Sequence, residues 1–245
     1  MNVYAGQRIS HDQVDLWWEN IDSHEARIPE LWRILNEEER SRAKRFRLEK
    51  HQRRFILRHG MLREILGRYL EMAPGEVRFR NGPGGKPAVA GEDPMIRFNL
   101  SHSGGYALYA IARGREVGVD VEVIRPKSKA PELVNRFFSA KEKAAFQKLG
   151  ADEQVSAFFA GWTRKEAHVK AIGKGLRFPL DCFDVSLKPG DQNALLDVEG
   201  APEEVNRWSL RDIDLGPGFS AALAVEITGR FSFNDISIQF KRYNP

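Results

Sequence analysis

Cysteine is nearly absent from this sequence of 245 residues: Cys182 stands alone. No internal disulfide and no cysteine-rich zinc site can form from one thiol. Long apolar runs are missing too. The longest, Tyr106 to Ala112, has seven residues, against the roughly 18 that span a bilayer. The opening MNVYAGQRIS lacks the apolar core of a signal peptide. There is no low-complexity tract and no short-period repeat. These absences exclude a disulfide scaffold, a helical membrane protein and a solenoid, and they set the expectation of a soluble, cytoplasmic protein.

What is present is ordinary in amount and unusual in arrangement. Apolar residues make up 42% and charged residues 29%, the usage of a globular chain long enough for one domain or two small ones. The net charge of +4 hides a strong segregation. Met1 to Glu39 holds three basic residues against nine acidic ones, whereas Arg40 to Arg68 holds eleven against two. That basic stretch suits a phosphate-bearing or polyanionic ligand, and equally suits a solvated helix face.

Periodicity organises the chain. Apolar Phe55, Leu62, Ile65 and Leu66 recur at helical spacing within Glu37 to Leu70, which reads as one long helix open to an interruption. Gly82 to Gly91 (GPGGKPAVAG) reads as loop. Phe98 to Leu100 reads as a short strand ending in the turn Ser101 to Gly105. Tyr106–Ala112 and Val117–Val123 then read as a strand pair joined at Arg113 to Glu116. Arg125 to Pro131 is the candidate linker, giving domains of 1–124 and 125–245. In the second half, helices are expected over Ser139–Leu149, with Ser139 and Glu142 at capping-box spacing, and over Asp152–Ile172. Strands follow at Phe183–Leu187, Leu195–Val198, Trp208–Leu210, Phe219–Ile227 and Phe231–Phe240. A helix-rich start followed by strands, twice over, predicts an α+β fold of two similar subdomains. Gly105-Tyr106-Ala107 and Gly218-Phe219-Ser220, each opening an Ala-rich strand, form a faint echo between them.

Three constellations could carry chemistry. In Val117 to Val123 (VGVDVEV), alternation puts the valines on one strand face and Asp120 and Glu122 on the other, with Gly118 beside them. Two like charges there invite a hard cation such as Mg²⁺, or belong to an ordinary exposed face. On the helix that carries Trp162-Thr163-Arg164-Lys165-Glu166-Ala167, Glu166 and Lys170 stand one turn apart, either a surface ion pair or a carboxylate and ammonium set for a metal-bound phosphate. In Asn99 to Gly105 (NLSHSGG), hydroxyls, backbone N–H groups and His102 offer donors to an anion, though the same residues also make a plain turn.

In this order and spacing, Gly85-Lys86-Pro87, Phe98 to Ser103, Val117 to Glu122, Arg136-Phe137-Phe138-Ser139, the Trp-x-x-Lys-Glu-Ala-x-x-Lys block from Trp162 to Lys170, and Gly173 to Leu176 closely resemble the Sfp-like 4′-phosphopantetheinyl transferases. The resemblance runs from about Glu37 to Phe183 and more loosely to Ile227. It implies a pseudo-dimer of two α+β halves with the active site between them, and transfer of the phosphopantetheine arm of coenzyme A to a serine of an acyl or peptidyl carrier protein, with Mg²⁺. By resemblance, Asp120, Glu122 and Glu166 match the metal ligands, with Glu166 also the proton acceptor. Lys170 matches the lysine on the pyrophosphate, and Asp120 also borders the nucleotide. Ser101 and His102 match the residues on the 3′-phosphate, and Lys86 lies on the nucleotide side. Arg54 is the clearest helix match, with Arg42 a candidate. A monomer is expected, because one chain supplies both halves. The rival readings are a basic nucleic-acid-binding protein and a Mg²⁺-dependent phosphohydrolase; neither nucleic acid nor membrane is an expected partner.

Overall fold

The computed structural model describes residues 6–91, 95–125, 129–175, 178–192, 194–227 and 235–244. Leu176, residues 126–128 of the expected linker and residues 231–234 of the expected last strand lie outside them.

The first half runs β1 (Gln13–Asn20), α1 (Ile28–Ile34), α2 (Glu37–Lys44), α3 (Glu49–Leu70), β2 (Phe79–Asn81), β3 (Pro87–Val89), β4 (Ile96–Ser103) and β5 (Tyr106–Arg113). The second repeats that order with β6 (Val117–Val123), α4 (Ala130–Phe137), α5 (Ala140–Gln147), α6 (Ala151–Ile172), β7 (Phe183–Val185), β8 (Leu195–Val198), β9 (Trp208–Asp212) and β10 (Phe219–Glu226), with the short α7 (Glu204–Arg207) inserted before β9. The sheets match as well. One has the order β1-β5-β4 and the other β6-β10-β9, antiparallel throughout, and β2-β3 and β7-β8 form equivalent two-stranded ribbons. The echo between Gly105-Tyr106-Ala107 and Gly218-Phe219-Ser220 falls at the starts of β5 and β10, which are equivalent strands. β11 (Ser237–Lys241) returns to pair in parallel with β1.

Several expectations change. The long basic helix is broken between Lys44 and Glu49, where Leu48 takes an extended backbone. The loop after Gly82 contains β3, and the linker already turns helical at Ala130. The strand expected at Phe98–Leu100 runs on to Ser103, so the turn shrinks to Gly104 and Gly105, of which Gly104 takes a φ of 60°. Tyr106–Arg113 and Val117–Val123 do not form a hairpin. Both edges of β5 are taken, by β1 and β4, so β6 crosses to the other sheet and pairs with β10. A boundary at 124/125 therefore cuts between β6 and the helices that follow it; the repeat itself turns over between Arg113 and Val117.

Four layers result. Phe55, Leu62, Ile65 and Leu66 of α3 are buried against Trp17, Tyr109 and Ile111 on the outer face of the first sheet. Between the sheets, Val14, Leu16, Leu108 and Ala110 meet Val117, Val119, Val121 and Leu223. Fully burying one such side chain is worth about 1.5–3 kcal/mol, so the valine face of β6 ties the halves together. Ala167, Val169 and Ala171 of α6 pack on Ala222 and Ala224 across the other face of the second sheet.

Candidate active site

The edges of the two sheets meet at β4 and β6, and side chains join them. Even-numbered residues of β4 (Ile96, Phe98, Leu100) face α3. Odd-numbered ones reach β6, where Val119 N–H donates to Asn99 Oδ1 (2.9 Å), Val121 N–H to Ser101 Oγ (3.3 Å) and Val123 N–H to Ser103 Oγ (3.0 Å). The two serines also donate to the acids of β6: Ser101 to Asp120 Oδ1 at 2.8 Å and Ser103 to Glu122 Oε2 at 2.8 Å. Polar alternation on β4, which on an exposed strand would face water, here satisfies buried backbone donors.

Gly118 sets the distance to α6. A Cβ built there would lie 2.1 Å from the Ala167 carbonyl oxygen and 2.4 Å from the Ala171 nitrogen, so only glycine permits this approach. One turn along α6, Lys170 Nζ reaches Asp120 Oδ1 at 2.6 Å and Ser101 Oγ at 3.1 Å. Burial pushes the Glu166 carboxyl above the ordinary carboxylate range, and the negative charges of Asp120 and then Glu122 add to this against the pull of Lys170. Glu122 is raised as well, first by burial and then, against its bond from Ser103, by Asp120. Asp120 Oδ2, sealed from solvent, meets no donor. The expected acids and lysine thus come together, from a strand of one sheet edge and the helix laid across it.

The other expected residues separate. Ser101 joins the acid cluster, and its one donor and two acceptor positions are used there. His102 alternates to the α3 side of β4. It keeps an exposed edge, yet the protein packed on its other side, and then the charges of Arg58, Lys170 and Arg54, lower its pKa to about 4. Arg54 donates to both carboxylate oxygens of Asp22, through Nε at 2.8 Å and through Nη2. Arg42 is exposed, its guanidinium 5.5 Å from the centre of the Phe55 ring. Lys86 lies elsewhere: its ammonium donates to Glu116 Oε2 (2.7 Å), the Val117 carbonyl (2.9 Å) and the Ala171 carbonyl (3.0 Å), a tie between the loop before β3, β6 and the end of α6.

Known proteins place this arrangement. The sequence profile described as 4′-phosphopantetheinyl transferase superfamily matches residues 116–240, and the profile for the N-terminal part of 4′-phosphopantetheinyl transferase matches residues 18–113. The chain belongs to the 4′-phosphopantetheinyl transferase superfamily. Its junction between profiles, like the structural repeat, falls just before β6. Over 220 residues it is 36% identical to the 4′-phosphopantetheinyl transferase HetI of Nostoc sp., covering 89% of each chain. It is also 30% identical over 190 residues to the 4′-phosphopantetheinyl transferase Sfp of Bacillus subtilis, covering 78% of this chain and 81% of that one. To psf-1 of Bacillus pumilus it is 34% identical over 193 residues, covering 78% and 81%.

Within a phosphopantetheinyl transferase, the donor set at Asp120 fits a divalent metal. It consists of hard oxygens, it contains two carboxyls raised first by burial and further by the charge of Asp120, and one buried carboxylate oxygen is unmatched. Among the described residues no three His, Cys, Asp or Glu side chains already form a metal cage; Lys170 stands against Asp120 in that place. Asn99 and Ser103 were legible only as donors in an anion-binding turn, not as the residues that bond β4 to β6, for which their alternation with Ser101 was the available signal; Lys165 was not singled out. That lysine is fully buried, paired with Glu142 at 2.8 Å and bonded to the carbonyls of Leu180 and Phe183. Arg164, bidentate to Asp212, is likewise buried. Of the four fixed positions of the Trp-x-x-Lys-Glu-Ala signature, Lys165 and the core residue Ala167 are therefore scaffold.

Proposed function

We propose that this transferase moves the 4′-phosphopantetheine arm of coenzyme A to a serine hydroxyl of an apo acyl or peptidyl carrier protein, releasing adenosine 3′,5′-bisphosphate. The serine oxygen forms a bond to the phosphorus that bears the arm, the bond from that phosphorus to the bridging pyrophosphate oxygen breaks, and the serine proton leaves to a base. The observation that carries this reading is the gathering of Asp120, Glu122, Glu166 and Lys170, in which Asp120 Oδ2 is buried and unmatched. Asp120, Glu122 and Glu166 would hold Mg²⁺, which when bound would neutralise charge growing on the leaving phosphate.

Lys170 places an ammonium where pyrophosphate oxygens would sit, and Ser101 holds both Lys170 and Asp120 in position. Glu166 is the proton acceptor, acting at the edge of the metal shell or through a bound water, because a carboxylate bound directly to Mg²⁺ is a weaker base than a free one. His102 and the cations of α2 and α3, Arg42 and Arg54 among them, lie on the side suited to the adenosine 3′-phosphate, while Lys86 ties the loop before β3 to β6 and α6. Beside Glu166, a cleft of about 400 Å³ lined by Phe137, Trp162, Phe178 and Leu180 offers an apolar wall to the arm. Both halves of the site come from one chain, which supports action as a monomer. No described helix is long and apolar enough to cross a membrane, in keeping with work in the cytoplasm.

The test is intact-mass measurement of a panel of apo carrier proteins incubated with the protein, coenzyme A and Mg²⁺, with and without a chelator. One serine should gain a single phosphopantetheine arm, only without chelator. Release of inorganic phosphate with no carrier modified would instead mark a phosphohydrolase.

A further inference from the structure

Helix α6 of the second half ends on a group supplied by the first half. At its C-terminus the Lys170 carbonyl accepts from Gly173 N–H and the Val169 carbonyl from Lys174 N–H, each at 3.3 Å, the usual closure of a helix on its own chain. The next carbonyl, that of Ala171, accepts instead from Lys86 Nζ at 3.0 Å. An ammonium there also meets the negative end of the helix dipole. The same group donates to the Val117 carbonyl at 2.9 Å and to Glu116 Oε2 at 2.7 Å. A lysine ammonium has three hydrogens, and all of them are taken by these partners.

Backbone contact reinforces the tie. Gly84, two residues before Lys86, has φ of 60°, and a Cβ built on it would lie 2.0 Å from the Gly173 carbonyl oxygen. One built on Gly175 would lie 2.8 Å from the Gly84 carbonyl oxygen. The loop before β3 and the loop after α6 therefore touch main chain to main chain, and a side chain at either place would part them. The anchor points are telling. Val117 precedes Gly118, whose missing Cβ admits α6, and Ala171 follows Lys170, whose ammonium reaches Asp120.

We propose that Lys86 is a positioning residue for the transfer: it caps α6 from the other half of the chain and, with Gly84 against Gly173, holds the stretch bearing Glu166 and Lys170 against β6 without itself touching coenzyme A. The inference rests on the coenzyme A reading above. If Lys86 instead bound the nucleotide, Glu116 would compete with the ligand for its ammonium; as a cap, Lys86 needs Glu116 as its anchor. Neutralising Glu116 thus has opposite consequences in the two roles.

The experiment measures two quantities for the wild type, Lys86→Met, Glu116→Gln and Gly84→Ala: coenzyme A binding by calorimetry with Mg²⁺, and kcat for carrier modification at saturating substrates. Thermal melts set a temperature at which each variant is folded. Lys86→Met keeps the stem and removes the ammonium. It should lower kcat about 10-fold or more, the scale on which misplaced reacting groups act, and leave the dissociation constant of coenzyme A within about twofold. Gly84→Ala, which alters no charge, should show the same split, and Glu116→Gln should lower kcat without tightening coenzyme A. If Lys86→Met does not fold, the other two variants decide by the same readouts. Unchanged kcat, coenzyme A weakened as much as kcat falls, or tighter coenzyme A in Glu116→Gln would overturn the assignment. A wild type that neither binds coenzyme A nor modifies a carrier would instead overturn the coenzyme A reading itself.

Discussion

Lys170 Nζ lies 2.6 Å from Asp120 Oδ1, while Oδ2 of the same carboxylate, buried, has no donor at all. One oxygen is held by the helix and the other is left for something that the chain does not provide. Asp120→Asn keeps shape and volume but removes the charge. It should lower kcat by about 10²-fold or more, the scale on which a charge-stabilising group acts, with the melting temperature nearly unchanged. Turnover within a few-fold of wild type in a carrier-modification assay would remove Asp120 from the site.

Gly118 permits α6 to lie against β6, with its missing Cβ 2.1 Å from a backbone oxygen. Gly118→Ala forces α6 outward, and Glu166 and Lys170 travel with it. The expected result is a stability loss of about 1–3 kcal/mol, typical of overpacking, with a disproportionate loss of activity. Denaturant titration and initial rates on the same preparation check it; activity falling only in step with the folded fraction would contradict it.

Asn99 accepts the buried Val119 N–H at 2.9 Å. Asn99→Ala leaves that donor unmatched, at about 1–3 kcal/mol. Urea unfolding should show a lower midpoint at an unchanged slope. An unchanged midpoint would mean that the seam between β4 and β6 is not needed to hold the sheets together.

His59 donates through Nδ1 to the Phe55 carbonyl at 3.0 Å, and burial, with the charges of Arg58 and Arg42, lowers its pKa to about 3. Between the ordinary 6.5 and that value the unfolded chain holds a proton that the folded chain lacks. Stability from this group is therefore complete above about pH 6.5 and falls as the pH drops, by at most about 1.4 kcal/mol per pH unit. His59→Asn retains a donor but cannot titrate, so its melting temperature should fall less steeply than that of the wild type from pH 7 to 5. Parallel curves would contradict the assignment.

Much of this was readable in the sequence because local rules and global packing agree. The valine alternation of β6 buried one face and turned Asp120 and Glu122 to the other. The helical spacing of Glu166 and Lys170 put both on one side of α6, and Ser139 with Glu142 formed the cap that periodicity required. Partnership across the chain was not readable. Nothing local distinguishes Arg54 from Arg58; the difference is Asp22, brought near by a turn that the first strand enters. Polar residues at 99, 101 and 103 resemble a solvated face until β6 is laid beside them. β1 itself, with Asp15 and Glu19 among its apolar residues, carries too mixed a pattern to read, yet it is the strand on which β5 and β11 both pair.

The acids of β6, with Glu166 and Lys170 of α6, should hold the pyrophosphate of coenzyme A between the two halves. A crystal structure of the protein with coenzyme A and Mg²⁺ tests it most directly. The account predicts the pyrophosphate against Lys170, with the metal bound to Asp120, Glu122 and Glu166. Coenzyme A seated away from these four side chains, in a protein that still modifies its carrier, would contradict it.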